Sequence, residues 1–324
     1  MIVVTGGCGF IGSNLVHGLN RHGVDDILVV DDLTQGDKFV NILDCSITDY
    51  RDYRAFVSDL PKTGAGDIEA VFHLGACSDT MESDGQYMMR VNYEYSRHLL
   101  DFCAAAGIPF IYASSASVYG AGPRFSESPE NESALNVYAY SKLLFDRYLR
   151  KHRASITSQV VGLRYFNVYG PREQHKGRMA SVAYHFYNQF RENGNINLFE
   201  GSGGYGDGEQ ERDFLWVGDA VDVNLYFLDN RDKNGIYNLG TGNARSFNDM
   251  ARAVVSAVNG RTSDLAGLIK CGTIRYIPFP GALAGKYQSY TQADMSALRQ
   301  AGYDKPFTPV EQGVAQYVEW RSRS

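Results

Sequence analysis

A tyrosine and a lysine, four residues apart, are the side chains that could together move a proton. Tyr138 and Lys142 stand at i and i+4 of a predicted helix, so they share one helical face. An ammonium group lowers the pKa of a neighbouring phenol because it favours the phenolate, and Tyr138 would then be a base near neutral pH. Ser115, at the end of a predicted strand, could hydrogen-bond the same substrate oxygen and stabilise a developing alkoxide. The alternative is a tyrosine and a lysine on an ordinary amphipathic helix.

A glycine-rich segment follows the first predicted strand and opens the first predicted helix. Thr5–Gly12 reads Thr-Gly-Gly-Cys-Gly-Phe-Ile-Gly. Glycine is needed there because a Cβ would block the tight turn and the approach of a pyrophosphate, while the helix N-terminus offers N–H groups. Asp31 and Asp32 end a second strand, where a ribose hydroxyl would bind. The pattern predicts a dinucleotide site.

The residues leave the choice between NAD and NADP open. An acid at the end of the second strand favours the free 2′-hydroxyl of NAD, because it would repel a 2′-phosphate. Lys38, a few residues later, could neutralise such a phosphate or could be an ordinary exposed lysine.

Short apolar runs alternate with amphipathic stretches through the first half of the chain. The runs are Ile2–Thr5, Ile27–Val30, Ala70–Leu74, Phe110–Ala113 and Gln159–Leu163. Tyr87–Ala106 is typical of the helices between them, with apolar residues at helical spacing. Strands without polar alternation, separated by helices, predict an α/β protein with a parallel sheet covered on both faces.

The alternation weakens after about residue 170. Gly201–Gly208 and Arg261–Gly272 are predicted to be irregular. We expect residues 1–170 to form a dinucleotide-binding domain to which 213–240 return, and 171–324 to form a smaller substrate-binding domain.

Composition excludes several classes of function. The net charge is −6 and there is no long basic run, so we expect no nucleic-acid partner. No apolar run reaches the roughly 20 residues that span a bilayer, and the strand-like start does not resemble a signal peptide. The five cysteines are scattered without metal-site spacing. We therefore expect a cytoplasmic protein with reduced thiols and no metal.

Several segments resemble the extended short-chain dehydrogenase/reductase superfamily. Besides the glycine loop they are Ser114–Gly120, Tyr138–Lys142, Arg164–Arg172, Arg212–Asp219 and Tyr237–Gly242. The resemblance implies a Rossmann fold, that is, a doubly wound parallel sheet with a smaller α/β C-terminal substrate domain. It also implies a nucleotide-sugar substrate and a catalytic triad of Ser115, Tyr138 and Lys142.

Further segments resemble the ADP-L-glycero-D-manno-heptose 6-epimerases. They are Phe39–Asn41, Gly170–Ser181, Gly285–Asp294 and Tyr303–Phe307. The resemblance implies inversion at C6″ of ADP-D-glycero-D-manno-heptose through a 6-keto intermediate, in the supply of heptose for lipopolysaccharide. It makes Lys176 a second acid/base beside Tyr138. The alternative for Lys176 is a phosphate-contacting or solvated loop lysine.

The same resemblance carries further binding positions onto this chain. For the cofactor, which it implies to be NADP, they are Gly6, Gly9, Phe10, Ile11, Gly12, Asp31, Asp32, Lys38, Leu74, Gly75, Ala76, Cys77, Ser78, Asn92, Lys142, Val168 and Lys176. For the sugar nucleotide they are Asn167, Arg178, His185, Phe199, Glu200, Gly201, Ser202, Arg212 and Tyr287. His185 could equally be a partly buried histidine with its hydrogen bonds satisfied. The resemblance also implies a homo-oligomer, a pentamer.

The chain departs from the family pattern at a few positions. Asp32 stands where we expect asparagine, Leu74 replaces an acid, and Tyr53 stands where a lysine could reach the cofactor. Arg178 fills a position that is usually small and polar.

Three other functions remain to be weighed. A UDP-hexose 4-epimerase shares the fold, the cofactor site and the triad, but the segments around Lys176 and 285–294 argue against it. A 4,6-dehydratase would need an acid pair where Ala116 and Ser117 stand. A dinucleotide-sensing protein on the same fold, which typically loses the catalytic tyrosine, is the alternative from a different class.

Overall fold

Thirteen strands and eleven helices are formed by the residues that the computed structural model describes, which are 1–60, 65–281 and 288–323. The strands are β1 (Ile2–Thr5), β2 (Ile27–Asp31), β3 (Asp49–Asp52), β4 (Ala70–His73), β5 (Phe110–Ser115), β6 (Val160–Tyr165), β7 (Asn167–Tyr169), β8 (Ile196–Phe199), β9 (Glu211–Arg212), β10 (Phe214–Trp216), β11 (Gly235–Leu239), β12 (Arg245–Ser246) and β13 (Ile274–Ile277). The helices are α1 (Phe10–Arg21), α2 (Tyr53–Asp59), α3 (Gly85–Met88), α4 (Tyr95–Ala106), α5 (Val137–His152), α6 (Val182–Asn193), α7 (Val217–Asp229), α8 (Phe247–Asn259), α9 (Leu265–Lys270), α10 (Ser296–Gln300) and α11 (Val310–Arg323).

Seven parallel strands form the central sheet, in the order β11-β6-β5-β4-β1-β2-β3. The strand order reverses on either side of β1, and all carboxyl ends lie at one edge. Ligands of such sheets bind at that edge, beside the point of reversal. The predicted Rossmann fold is confirmed.

Helices cover both faces of this sheet. On one face, Leu15 and Leu19 of α1 pack with Val223 and Phe227 of α7 in one apolar cluster. On the other face, apolar side chains of α2, α4 and α5 form a second cluster that includes Phe56, Leu99 and Phe145. Since both faces are buried, the strands carry the nearly continuous apolar sequences from which they were predicted.

Two predictions about elements are wrong. The strand β3 was not predicted, because its sequence Asp-Tyr-Arg-Asp has no apolar run and it lies half-exposed at the edge of the sheet. The stretch Arg261–Gly272, predicted to be irregular, contains α9. Asp264 begins this helix by accepting a hydrogen bond from Gly267 N at 2.9 Å, and six residues are too few for a helical period to be read.

The C-terminal half builds a further apolar cluster. β8 and β13 pair in parallel, and α6, α8 and α11 pack around them through residues such as Met250, Val254 and Val314. β11 lies instead at the outer edge of the central sheet, paired with β6. Among the helices of the described ranges, none has the length and apolar character needed to cross a bilayer.

Candidate active site

The glycine loop between β1 and α1 leaves room for a diphosphate. Gly6 has φ +68°, and a Cβ on Gly12 would lie 2.0 Å from Gly6 O, so both positions require glycine. Gly9 occupies the N-cap of α1 and has no side chain to bond the N–H groups of the first turn. Together with the positive end of the helix dipole, these groups suit a diphosphate, so the loop fits the predicted dinucleotide.

Asp31, at the end of β2, holds the glycine loop. Its carboxylate accepts hydrogen bonds from Cys8 N at 2.7 Å and from Asp32 N at 2.6 Å. It also pairs with the Lys38 ammonium at 2.6 Å. Asp31 is 6% exposed, so its charge is already balanced by Lys38 and its oxygens already have donors. Asp31 and Lys38 thus form an ion pair beside the glycine loop.

Asp32 points closer to solvent and has a cation of its own. Its carboxylate accepts from Thr34 N at 2.8 Å and pairs with the Arg54 guanidinium at 3.2 Å. Burial opposes ionisation, but the hydrogen bonds from Thr34 and the charge of Arg54 keep the pKa of Asp32 below its ordinary value. Arg54 stacks on Tyr53 at 4.4 Å from the ring centroid. Sequence reasoning missed Arg54, although it directly follows the position where a lysine was expected.

Asn92 holds the segment that follows β4. It lies in a π-helical turn, Met89–Glu94, between α3 and α4. Its side chain accepts from Cys77 N at 2.8 Å and donates to Cys77 O at 3.0 Å. Leu74 N donates to Thr5 O at 3.0 Å, which brings the start of this segment against the glycine loop. Of the other predicted cofactor contacts in the segment, Ala76 and Ser78 are exposed and Gly75 is half-buried.

Ser115 and Tyr138 meet at the carboxyl edge of the sheet. Asn136 caps the start of α5 by accepting a hydrogen bond from Ala139 N at 2.8 Å, which places Tyr138 in the first turn. The Tyr138 hydroxyl is hydrogen-bonded with Ser115, at the end of β5. Burial raises the pKa of Tyr138, and the Ser115 hydrogen bond opposes that rise. The structure therefore brings together two of the three expected catalytic side chains.

Lys142 does not act on Tyr138 as expected. Its ammonium donates to Ala113 O at 2.7 Å, one strand residue before the serines. Burial lowers the pKa of Lys142 to about 8, with Asp146 and Cys77 opposing the change. The pKa of Tyr138 is raised by burial, not lowered by a neighbouring ammonium. The expectation took helical spacing as contact, whereas Lys142 is 5% exposed and turned to the backbone of β5.

Lys176 lies over the glycine loop. It belongs to the short 3₁₀ segment Gln174–Met179, which follows β7, and its Nζ is 5.4 Å from the centroid of the Phe10 ring. Asn14 of α1 donates to Pro171 O at 2.9 Å and holds the start of the same loop. Burial lowers the pKa of Lys176, while the carboxylate of Glu173 opposes this shift. A second proton-carrying side chain thus stands beside the dinucleotide loop.

Four residues that position this loop were not predicted as site residues. Asn41 donates to Cys8 O at 2.9 Å and lies 3.0 Å from Nδ1 of His175. Arg172, whose φ is +70°, donates to both carboxylate oxygens of Asp44, at 2.8 and 2.7 Å. After Asn41, Arg172 and Asp44, the fourth of these residues is Glu173, which is fully buried. A non-glycine residue at positive φ is a signal of a constrained functional segment, but sequence does not reveal it.

The predicted sugar-nucleotide residues lie on separate elements. Asn167 and Val168 belong to β7, which pairs with β10. Arg212 is 6% exposed, donates to Glu211 O at 2.9 Å and lies 5.6 Å from the Phe247 ring centroid.

His185 belongs to α6, and its ring lies 5.6 Å from that of the neighbouring Tyr184, measured between centroids. Phe199 contacts Phe279, and Gly201 N donates to Asp207 at 2.8 Å. Ser202 accepts from Gln210 at 3.1 Å, and Glu200 is exposed.

Arg178 is placed differently from the others. It pairs with Asp79 at 2.7 Å, so an ion pair joins the loop of Lys176 to the segment after β4. Its side chain is 69% exposed. Tyr287, the last predicted contact, lies outside the described residues.

Comparison with known proteins identifies the family of this chain. The NAD dependent epimerase/dehydratase family matches residues 2–240. An ADP-L-glycero-D-manno-heptose-6-epimerase of Alkalilimnicola ehrlichii is 58% identical over 320 residues, which are 98% of this chain and 97% of that protein.

Solved structures agree. An ADP-L-glycero-D-manno-heptose-6-epimerase of Helicobacter pylori has a TM-score of 0.83 at 29% identity, covering 100% of this chain and 96% of that one. A UDP-N-acetylglucosamine 4-epimerase of Methanobrevibacter ruminantium has a TM-score of 0.81 at 25% identity, covering 99% and 98%. The resemblance read from the sequence motifs is confirmed, and the chain belongs to the NAD dependent epimerase/dehydratase family.

Proposed function

We propose that this protein inverts C6″ of ADP-D-glycero-D-manno-heptose and so makes the L-glycero epimer. The named activity of the relative that is 58% identical supports this substrate. The observation that carries the proposal is the position of Lys176 over Phe10 of the glycine loop, with Tyr138 on Ser115 at the same edge of the sheet. Inversion requires proton carriers that can serve both faces of the reacting carbon, and this site has two on separate elements.

Each side chain has one task in this proposal. Tyr138 accepts the proton of the C6″ hydroxyl in its phenolate form, which the hydrogen bond with Ser115 favours against the effect of burial, and Ser115 holds the same substrate oxygen by a hydrogen bond. Lys176 returns or removes a proton when the reacting carbon presents its other face. Lys142 stabilises the end of β5 through Ala113 O and carries a positive charge close to the site. A nicotinamide dinucleotide, when bound, supplies reversible hydride transfer.

The cofactor we propose is NADP. Asp31 is already paired with Lys38, and Asp32 is paired with Arg54, so neither acid stands alone at the end of β2. Two cations at this place can accept the 2′-phosphate of NADP, and an arginine offers planar bidentate donors to it. Arg54 would take the role of the lysine that we expect at the position of Tyr53.

The sugar nucleotide is proposed to bind between the carboxyl edge of the sheet and residues 171–324. Residues 213–240 are excepted, because there α7 covers one face of the central sheet and β11 pairs with β6. Arg212 suits a diphosphate, because its guanidinium has paired donors. We further propose a homo-oligomer, since Phe39, Val40 and Leu43 are exposed apolar side chains on one short segment. Light scattering of the purified protein tests that assembly.

The test of the activity uses the purified protein without added cofactor. Mass spectrometry identifies the released nucleotide, and NMR follows C6″ of ADP-D-glycero-D-manno-heptose. We expect bound NADP and conversion to the L-glycero epimer, with a loss of roughly 10²–10⁴-fold in Tyr138→Phe and in Lys176→Met. Tyr140→Phe, two residues away on the exposed side of α5, is the matched control.

Each part of the proposal has its own contrary result. Interconversion of UDP-glucose and UDP-galactose without turnover of the heptose would assign the site to a 4-epimerase. Bound NAD would refute only the NADP part. Binding of the dinucleotide without turnover of either sugar would favour a sensing protein.

A further inference from the structure

Glu173 is a carboxylate buried inside the loop that carries Lys176. Its exposed fraction is 0%. It accepts hydrogen bonds from Ser181 N at 2.5 Å and from Ser181 Oγ at 2.7 Å. The hydroxyl of Tyr317, on α11, is also hydrogen-bonded with it. A buried carboxylate is costly unless its oxygens are bonded, so this set of partners requires an explanation.

These contacts close the loop. Glu173 stands before the 3₁₀ segment, and Ser181 is the N-cap of α6 directly after it. The Glu173–Ser181 bonds therefore join the two ends of the segment that contains Lys176. Lys176 N also donates to Glu173 O at 3.0 Å, which fixes the first turn. Tyr317, which is 2% exposed, attaches the closed loop to the C-terminal helix.

Glu173 is also the carboxylate that acts on Lys176. Burial lowers the pKa of Lys176, and the charge of Glu173 raises it. Among the described residues, the groups that act on this pair or on its titratable neighbours His175 and Tyr317 are Asp31, Lys38, Tyr184 and Arg321. Burial, followed by the charges of Lys38 and Lys176, lowers the pKa of His175 to about 4, so that ring is neutral and adds no charge at neutral pH.

We propose that Glu173 is the positioning residue of Lys176: it closes the loop that places the ammonium over the glycine loop. The charge of its carboxylate also favours the ammonium form of Lys176. This inference rests on the proposed role of Lys176 as the second acid/base. Glu173 touches neither substrate nor cofactor in this scheme. It acts through Lys176 alone.

The experiment measures Lys176 directly in the holoenzyme. Protein labelled with ¹³C at lysine Cε is titrated by NMR, and the Lys176 signal is identified by its loss in Lys176→Gln. In Glu173→Gln we expect the midpoint of Lys176 to fall by about one pH unit, because an opposite charge favours the ammonium form. We expect kcat to fall by up to about tenfold at pH values above the midpoints of both proteins, with little change in KM.

Glu127→Gln is the matched control. Glu127 is half-buried, burial raises its pKa as it raises the pKa of Glu173, and it accepts a hydrogen bond from Asn238 N at 2.6 Å, away from the loop. This variant should leave the Lys176 midpoint unchanged. If Glu173→Gln does not fold, Ser181→Ala replaces it, because it removes the side-chain hydrogen bond by which Glu173 closes the loop. The loop that holds Glu173 and Lys176 together is then looser, and the Lys176 midpoint should fall by a smaller amount.

The outcomes separate this inference from the proposed function. An unchanged Lys176 midpoint in Glu173→Gln, or in Ser181→Ala where that variant must stand in, overturns the role of Glu173, whatever happens to the rate. Full epimerase activity in Lys176→Gln overturns the catalytic role of Lys176 and with it the purpose assigned to Glu173. A lower midpoint with slower turnover only in the Glu173 and Ser181 variants supports the inference.

Discussion

Lys142 illustrates how burial changes the chemistry of one residue. Its side chain is 5% exposed, and its ammonium is satisfied by Ala113 O at 2.7 Å. Burial lowers its pKa from 10.5 to about 8, despite the opposing charge of Asp146. A lysine with this pKa exchanges its proton close to physiological pH. When Lys142 is protonated, the same burial leaves its ammonium group without solvation by water, which destabilises the folded protein.

The stability of the protein should therefore depend on pH through Lys142. Below pH 8 the lysine is protonated in both states; between pH 8 and 10.5 the unfolded state binds more protons, so the free energy of unfolding rises with pH. Lys142→Met lacks this rise, which amounts to at most about 3 kcal/mol. Urea unfolding of the nucleotide-free proteins at several pH values measures it. A difference between variant and wild type that stays constant from pH 7 to about 10 would contradict the assignment.

At the scale of elements, two segments far apart in sequence form one unit beside the cofactor loop. The turn 36–44 and the loop 170–181 are joined by Arg172 and Asp44. Asn41 adds a bond to Cys8 O and a contact with His175. The loop of Lys176 is thus held by the same segment that carries Lys38, so the proposed adenosine end of the cofactor site and the loop of the proposed acid/base share one support.

Removal of Asn41 should loosen both parts of this unit. In Asn41→Ala, Cys8 O loses a buried donor, which costs about 1–3 kcal/mol, and the loop loses one of its contacts. We expect faster amide exchange in residues 174–181 and faster release of the dinucleotide, as measured by mass spectrometry and by fluorescence. Asn195→Ala, which changes an amide in the turn before β8, is the control. Equal exchange rates in the two variants would show that the segments are independent.

The sequence predicts these elements unequally, for physical reasons. The strands buried on both faces are continuous apolar runs, so β1, β2, β4, β5 and β6 could be read directly. β3 could not, because an edge strand exposed to solvent keeps polar residues. The glycine loop could be predicted because only glycine fits its backbone.

The supports of the site are harder to read. Glu173 and Arg54 belong to residue types that are usually solvated, and only their folded neighbours reveal their roles. Lys142 was predicted as a site residue, but the direction of its side chain depends on the backbone of β5. Spacing along a helix therefore gives the face of a residue and not its partner.

At the scale of the whole molecule, one charged network lies at the centre of the fold. Arg164 of β6, with an exposed fraction of 0%, bonds to Asp146 of α5 at 3.0 Å and pairs with Glu132. Tyr112 and Ser114 of β5 donate to Asp146 at 2.8 and 2.9 Å. The network joins the sheet, α5 and the segment before that helix. It lies directly behind the strand end that carries Ser115.

Loss of Arg164 should destabilise the whole protein. Arg164→Met removes the cation paired with the buried Asp146 carboxylate and one of the cations paired with Glu132, and breaking a buried pair in this way costs about 3–5 kcal/mol. Arg150→Ala is the comparison, because Arg150 also pairs with Glu132, at 2.6 Å, but keeps 29% exposure. We expect a smaller loss there. The denaturant midpoints of the two variants measure these losses of stability. Equal midpoints would show that the buried pairs of Arg164 contribute no more than the half-exposed pair of Arg150.

The central sheet is completed late in the sequence, by α7 and β11, and this has a consequence for protein synthesis. On the face that α1 covers, Leu15 and Leu19 pack against Val223 and Phe227, and β6 is paired by β11 only at Gly235–Leu239. A ribosome makes the chain from its amino terminus, at about 5–20 residues per second. The nascent sheet therefore keeps the part of this apolar face that α7 covers, and one edge, exposed until β11 has left the exit tunnel. During those seconds the half-made enzyme is a substrate for chaperones, and a pause in translation between residues 170 and 240 would prolong that dependence.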